Sequence, residues 1–121
     1  MTREEAEVSI RLLEGLTDKR LAYGKMWDET LGCGCIQGML CPKEAWPSRP
    51  QTNTLTWEDA VGRRGFISPA SGRWAKEVGL SAFALAELEA MNDSNVHLSP
   101  EARYEDVLVD LRESLNALED S

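Results

Sequence analysis

Hydrophobic positions along this chain recur at intervals of three and four residues, the spacing that places side chains on one face of an α-helix. The first such run consists of Ala6, Ile10, Leu13 and Leu16. Thr2 lies three residues before Glu5, which is the spacing of a capping box at a helix N-terminus. The pattern therefore predicts a first helix over about residues 3–22. Gly24, just beyond it, interrupts the helical pattern.

Serine caps precede three further helical segments. The caps are Ser68, Ser81 and Ser99, and the segments run to Gly79, to Asn92-Asp93 and to about Glu119. Pro69 and Pro100 follow two of these caps at the first helical position, where a missing N–H removes no hydrogen bond. No convincing alternating strand pattern occurs. The sequence thus predicts an all-α fold, a compact single domain of four to five helices over residues 1–121.

Between these helices, "GCGCIQGMLC" at residues 32–41 holds all three cysteines. Its apolar content predicts a short buried helix. Glycine disfavours a helix interior by about 1 kcal/mol, so Gly34 and Gly38, four residues apart, indicate close approach of a neighbouring helix. That neighbour could belong to the same chain or to a second copy, and a homodimer is compatible with the pattern. The proline-rich stretch over about residues 42–56 predicts a long irregular loop.

The three cysteines leave two alternatives. They cannot all pair with one another, and a reducing cytosol favours free, buried thiols. Cys33, Cys35 and Cys41 together with His97 would match a three-cysteine, one-histidine zinc set, and a small zinc-binding or regulatory domain is the alternative function. The spacing is poor for zinc, so we predict neither a metal nor a cofactor. No lysine or arginine adjoins the cysteines in sequence to activate a thiol.

Catalytic patterns are equally weak. His97 is the only histidine and lies in a predicted loop, which leaves no pairing typical of a catalytic triad. Arg63 and Arg64 in "VGRRGF" could form a small anion-binding turn, but the glycine spacing of a nucleotide-binding loop is absent. The sequence therefore predicts a protein that is not an enzyme.

Charge is distributed unevenly. The net charge is -8, and residues 77–121 carry 11 acidic side chains against two basic ones, whereas residues 1–76 carry 10 acidic and 11 basic. An acidic field repels nucleic acid and anionic lipid, so direct binding to either is not expected. No apolar run is long enough to span a bilayer and none resembles a signal peptide, which predicts a cytoplasmic protein. A protein partner with a basic surface fits this charge.

The candidate partner-binding residues follow from this asymmetry. They are Glu105, Asp106, Asp110 and Glu113 on the last predicted helix and Trp46 in the proline-rich loop. The four carboxylates project away from the leucine stripe of that helix and could form an electrostatic docking surface. Trp46 could remain partly exposed and anchor a partner.

Three stretches also carry a resemblance. They are Trp27 with "GCGCIQGML", then "RWAKEVGL", and "LAELEAMND" followed by "YEDVLVDLRESL". Together they resemble a loose group of small bacterial and phage proteins that have no established activity. The resemblance implies a helical fold and a phage or prophage setting. We therefore expect a non-enzymatic protein-binding module with an acidic C-terminal docking surface, for which a host-directed inhibitor of the anti-defence or anti-CRISPR type is one version.

Overall fold

A computed structural model describes residues 1–24, 27–41, 69–94 and 97–119 of the chain. Five helices lie in these ranges and no strand does, which confirms the all-α prediction. The helices are α1 (Arg3–Glu14), α2 (Ile36–Leu40), α3 (Pro69–Val78), α4 (Ala82–Asn92) and α5 (Pro100–Glu119). The predicted loop at about 42–56, with Trp46, and the "VGRRGF" turn lie outside the described residues.

Helix α5 packs along α1 and also against α4, while α2 and α3 both pack against α4. The apolar stripes of these helices meet in a core to which every one of them contributes. Its buried members include Leu13, Ile36, Ala75, Leu85, Leu88, Val107 and Leu111. The buried Tyr104 hydroxyl donates a hydrogen bond of 2.8 Å to the main-chain oxygen of Leu13, which ties α5 to the end of α1. All helices therefore share one buried cluster.

Helix α1 is shorter than predicted. The Thr2–Glu5 capping box is confirmed, but the helix ends at Glu14, with Gly15 as its C-cap, and not near residue 22. Beyond Glu14 the main chain forms hydrogen bonds with distant segments. Leu21 N donates to Pro100 O, and Ala22 N donates to Gly34 O. These tertiary hydrogen bonds replace the helical ones that the periodic pattern had predicted.

The boundaries of the later helices agree with the capping signals that the structure describes, whereas the predicted cap Ser68 lies outside the described residues. Helix α3 begins at Pro69 and is followed by Gly79, whose φ of 96° lies in the left-handed region that glycine adopts without strain. The Ser81 hydroxyl accepts the N–H of Ala84 at the start of α4. The Ser99 hydroxyl accepts the N–H of Ala102 at the start of α5. Local capping chemistry thus determines where these helices start and stop.

The cysteine-containing segment reaches the core through a tight turn. Asp28 N donates to Cys33 O, and Arg20 donates to the main-chain oxygens of Leu31 and Gly32, which holds the turn against the preceding chain. Helix α2 follows, with Ile36 fully buried. This confirms the prediction of a short buried helix in the segment.

Candidate functional site: an acidic face and a buried carboxyl

Helix α5 separates its residues sharply between the core and solvent. Its inward side contains Arg103, Tyr104, Val107, Leu108 and Leu111, all buried. The opposite side carries the four predicted carboxylates, of which Glu105 and Glu113 are exposed and Asp106 and Asp110 are half-buried. Val109 lies among them and is 46% exposed. We call Glu105, Asp106, Val109, Asp110 and Glu113 the acidic face.

The carboxylates of the acidic face repel one another. Burial raises the pKa of the Asp110 carboxyl, and the charges of Asp106 and Glu113, one turn away on either side, raise it further. No ion pair joins Glu105, Asp106, Asp110 or Glu113 to a basic group among the described residues. Among the described residues, the face therefore carries four carboxylates without an ion pair around an exposed apolar side chain.

The two arginines of α5 are engaged elsewhere. Arg103 is buried and donates from Nη1 to the main-chain oxygen of Asn92 at 2.7 Å, and from Nη2 to that of Leu98. Arg112 pairs with Glu14 of α1 at 3.3 Å. Both basic side chains of the acidic C-terminal region therefore hold α5 to its neighbours, although the charge of Arg103 also acts on Asp106 of the acidic face.

A second polar site lies inside the protein, where α4 meets α2. Glu89 is fully buried, and its Oε1 accepts the main-chain N–H of Gln37 at 2.7 Å and the Cys35 thiol at 3.2 Å. Cys35, the N-cap residue of α2, makes no side-chain cap of its own. The carboxyl of Glu89 thus supplies, from another helix, an acceptor for the otherwise unpaired N-terminus of α2.

Burial dominates the electrostatics of this site. Desolvation raises the pKa of the Glu89 carboxyl to about 7, since the Gln37 hydrogen bond lowers it by less and the negative charge of Asp93 raises it further. Desolvation, and then the nearby Glu89 carboxyl, also raise the pKa of the Cys35 thiol well above its usual value. The Cys35 thiol is therefore neutral near neutral pH, whereas the Glu89 carboxyl is neutral below about pH 7 and loses its proton as the pH rises through that value.

Sequence reasoning did not find this buried carboxyl. In "LAELEAMN", Glu89 resembles an ordinary solvated glutamate. It nevertheless lies on the same face of α4 as the buried Leu85 and Asn92, which are four residues before it and three residues after it. A charged residue in the middle of an apolar face was the signal that could have indicated it.

The three cysteines form no disulfide and all are buried, as predicted for structural thiols. Within the described ranges, no group of three His, Cys, Asp or Glu side chains is arranged to hold a metal ion, and His97 is exposed. The structure does bring a basic group near one thiol: burial raises the pKa of Cys33, and the Arg20 guanidinium lowers it by less. The expectation that no arginine adjoins the cysteines therefore holds along the sequence but not in space.

Gly34 and Gly38 are buried against the rest of the chain. Both glycines are thus covered within one protomer, while the close approach of a neighbouring helix at these glycines and the homodimer stay predictions. Across the described residues, no helix is long and apolar enough to cross a membrane.

Comparison with known proteins finds no matching family model, no similar curated protein and no similar solved structure.

Proposed function

We propose that this protein is a non-enzymatic, cytoplasmic binding module whose acidic face on α5 docks a protein partner with a basic surface. The observation that carries the proposal is Asp110, a half-buried carboxylate whose neighbours Asp106 and Glu113 disfavour its charge. A partner's lysine or arginine placed among these groups would relieve their repulsion and gain charge-assisted hydrogen bonds.

The shape of the face supports the same proposal. Val109, with nearly half of its surface exposed, is surrounded by the carboxylates. An apolar contact enclosed by polar groups is the usual arrangement of an interface in which a central residue contributes most of the binding energy. The charged rim would steer a basic partner and set its orientation, and Val109 would pack against it.

The experiment compares three purified proteins as baits in host lysate, at low and at raised salt. The first is the wild type, and the second carries Asp106→Asn, Asp110→Asn and Glu113→Gln. The third neutralises three exposed carboxylates elsewhere, Glu4→Gln, Glu7→Gln and Glu77→Gln, so that both variants have the same net charge. We expect a basic partner that the wild type and the third protein retain and the second loses.

Salt provides the second criterion, because screening weakens exposed charge pairs. The same partner should be released from the wild type at raised salt. A partner retained equally by all three baits, or the absence of any partner, would contradict docking through the acidic face.

The narrower version is an inhibitor of a host defence system whose carboxylates occupy a basic nucleic-acid channel in the partner. It rests on the charge of the acidic face and on the resemblance of the sequence to phage proteins. Its test follows from the first experiment: DNA or RNA should displace the captured partner if both bind the same channel. Retention of the partner at saturating nucleic acid would eliminate this version while leaving the docking proposal intact.

A zinc-binding or regulatory domain built on Cys33, Cys35 and Cys41 is the alternative. No metal-binding group among the described residues favours it. Stoichiometric zinc in protein purified without chelator would support this alternative over the docking proposal.

A further inference from the structure

Two buried oxygen atoms of α4 have no hydrogen-bond partner within the described residues. They are Oε2 of Glu89 and Oδ1 of Asn92, on side chains that are both fully buried. Buried acceptors without partners are rare in folded proteins, because leaving one unsatisfied costs about 1–3 kcal/mol. Glu89 and Asn92 are three residues apart in the helix, so their side chains are neighbours on one face.

The orientation of the Asn92 amide is determined by its other contacts. Its Nδ2 donates to the main-chain oxygen of Ala22 at 2.9 Å and to Oδ1 of Asp93 at 2.7 Å. Reversing the amide would place Oδ1 against those two acceptors and lose both hydrogen bonds. The Oδ1 atom therefore needs a donor, and the groups bonded to Nδ2 cannot provide it.

The hydrogen bonds of Glu89 indicate which of its oxygens can carry a proton. Oε1 already accepts from Gln37 N and from the Cys35 thiol, which is the role of the carbonyl oxygen of a neutral carboxylic acid. Oε2 accepts from no group. A proton on Oε2 would make this atom a donor and would satisfy both unpartnered oxygens at once.

We propose that Glu89 and Asn92 form a buried pH-sensitive switch, in which the protonated Oε2 of Glu89 donates to Oδ1 of Asn92 and loss of this proton to solvent weakens the contact between α4 and residues 21–24. The proposal does not depend on the docking function. The shift of the Glu89 carboxyl to a pKa of about 7 is consistent with it.

The elements packed against α4 carry other titratable or charged groups. On the elements packed against α4 or at its end, they are Cys35 before α2, Arg73, Lys76 and Glu77 on α3, Asp93 after α4 and Arg103 on α5. The three on α3 are solvent-exposed or border solvent, and Arg103 binds the main-chain oxygen of Asn92. Asp93 opposes ionisation of Glu89, and the hydrogen bond from Cys35 favours it by less.

Ionisation of Glu89 would leave two hydrogen-bond acceptors, its own Oε2 and Oδ1 of Asn92, without a proton between them. Either the two oxygens would stay in contact and repel each other, or the Asn92 amide would rotate and lose its hydrogen bond to Ala22 O. Ala22 in turn donates its N–H to Gly34 O at 2.9 Å, so the effect would extend to the segment before α2. Loss of one proton would thus loosen two segments that α4 holds together.

The first measurement is an NMR titration of the protein with ¹³C-labelled glutamate side chains, between pH 5 and 9. The signal that is missing from Glu89→Gln is assigned to Glu89. We expect its midpoint near 7 and expect the side-chain amide signals of Asn92 to move with the same midpoint. A midpoint below 5, or Asn92 signals that do not follow, would overturn the proposal.

The second measurement uses Glu89→Gln as a mimic of the neutral acid, since the glutamine amide offers one acceptor and donors in the same places. As the pH rises from 5 to 8, the ratio of its unfolding equilibrium constant to that of the wild type should fall on the order of 10²-fold, because the wild type loses stability and the glutamine does not titrate. The Glu77→Gln variant, which removes an exposed charge, should track wild type. If Glu89→Gln tracks wild type across this range, or fails to fold at pH 5, Glu89 acts as a carboxylate and the switch does not exist.

Discussion

Two glutamates in this protein accept hydrogen bonds from helix N-termini, and their carboxyls respond in opposite ways. Glu5 accepts the N–H of Thr2 at 2.9 Å and that of Ser81 at 2.8 Å, so it serves the starts of both α1 and α4. Glu89 accepts the N–H of Gln37 in the first turn of α2. Hydrogen bonds from the Thr2 backbone lead the causes that lower the pKa of Glu5 to about 2, whereas burial raises that of Glu89 to about 7.

The comparison of Glu5 with Glu89 shows that hydrogen bonds alone do not determine the charge state of a capping carboxyl. Glu5 is partly in water and lies near two helix N-termini, where the helix dipole favours an anion. Glu89 is shielded from water and lies in the last turn of α4, close to Asp93. Both shifts affect stability, but in different pH ranges.

The sign of each effect on stability follows from the pKa of the carboxyl in the folded protein compared with its pKa in the unfolded chain. Folding raises the pKa of Glu89, so the contribution of this carboxyl to stability is complete below pH 4.5 and is lost as the pH rises through about 7. Folding lowers the pKa of Glu5, so the contribution of this carboxyl to stability is present above pH 4.5 and is lost as the pH falls through about 2.

Replacing Glu89 with alanine should have the largest effect. At pH 5 the substitution leaves the Gln37 N–H and the Cys35 thiol without an acceptor and opens a cavity, which should cost about 3 kcal/mol of unfolding free energy. At pH 8 the cost should be much smaller, because the wild type then buries a charge. Urea unfolding at both pH values measures this. A larger cost at pH 8 than at pH 5 would reverse the assignment of Glu89.

Glu5→Ala should show the opposite pH dependence with a smaller effect. Loss of the capping box and of the acceptor for Ser81 should cost about 1–2 kcal/mol at pH 7, and the cost should nearly disappear near pH 2. Urea unfolding at the two pH values checks this, with the exposed Glu4→Ala as the control. A cost that persists undiminished at low pH would show that Glu5 acts through packing and not through its charge.

Ser81→Ala should separate a neutral cap from the two carboxyls. The change removes the hydroxyl that accepts the Ala84 N–H and should cost about 1 kcal/mol. Because a hydroxyl does not titrate, this cost should be constant between pH 5 and 8 in thermal or urea unfolding. A cost that changes across this range as strongly as that of Glu89→Ala would mean that Glu89 is not the source of the pH dependence.

The smallest effect is expected on the acidic face. Asp110→Asn removes repulsion from Asp106 and Glu113 and should stabilise the protein by a few tenths of a kcal/mol at pH 7 and low salt. Raised salt should reduce this gain, while the same variant should weaken partner capture. Thermal unfolding at two salt concentrations tests the first point, with Glu77→Gln as the control. Destabilisation would show that the Asp110 charge is used in folding.

The acidic face illustrates how far a pattern can predict a site. The spacing of the leucines in α5 places the four carboxylates on the opposite side, so their grouping could be predicted from sequence. The inward turn of Arg103 and the pairing of Arg112 with Glu14 could not, because their partners lie on other segments. Those two contacts engage both arginines of α5 with other segments.

The all-α class, the starts of α4 and α5 at serine caps and the end of α3 at Gly79 could be predicted from sequence, since each depends on residues within a few positions. Helix packing was needed to show that residues 21–22 bond to distant segments and do not continue α1, and that the Glu89 carboxyl is buried. The physical reason is that hydrogen bonds from Leu21 to Pro100 and from Gln37 to Glu89 join residues more than fifty positions apart. Such contacts and the loss of water around them arise only once the helices have packed.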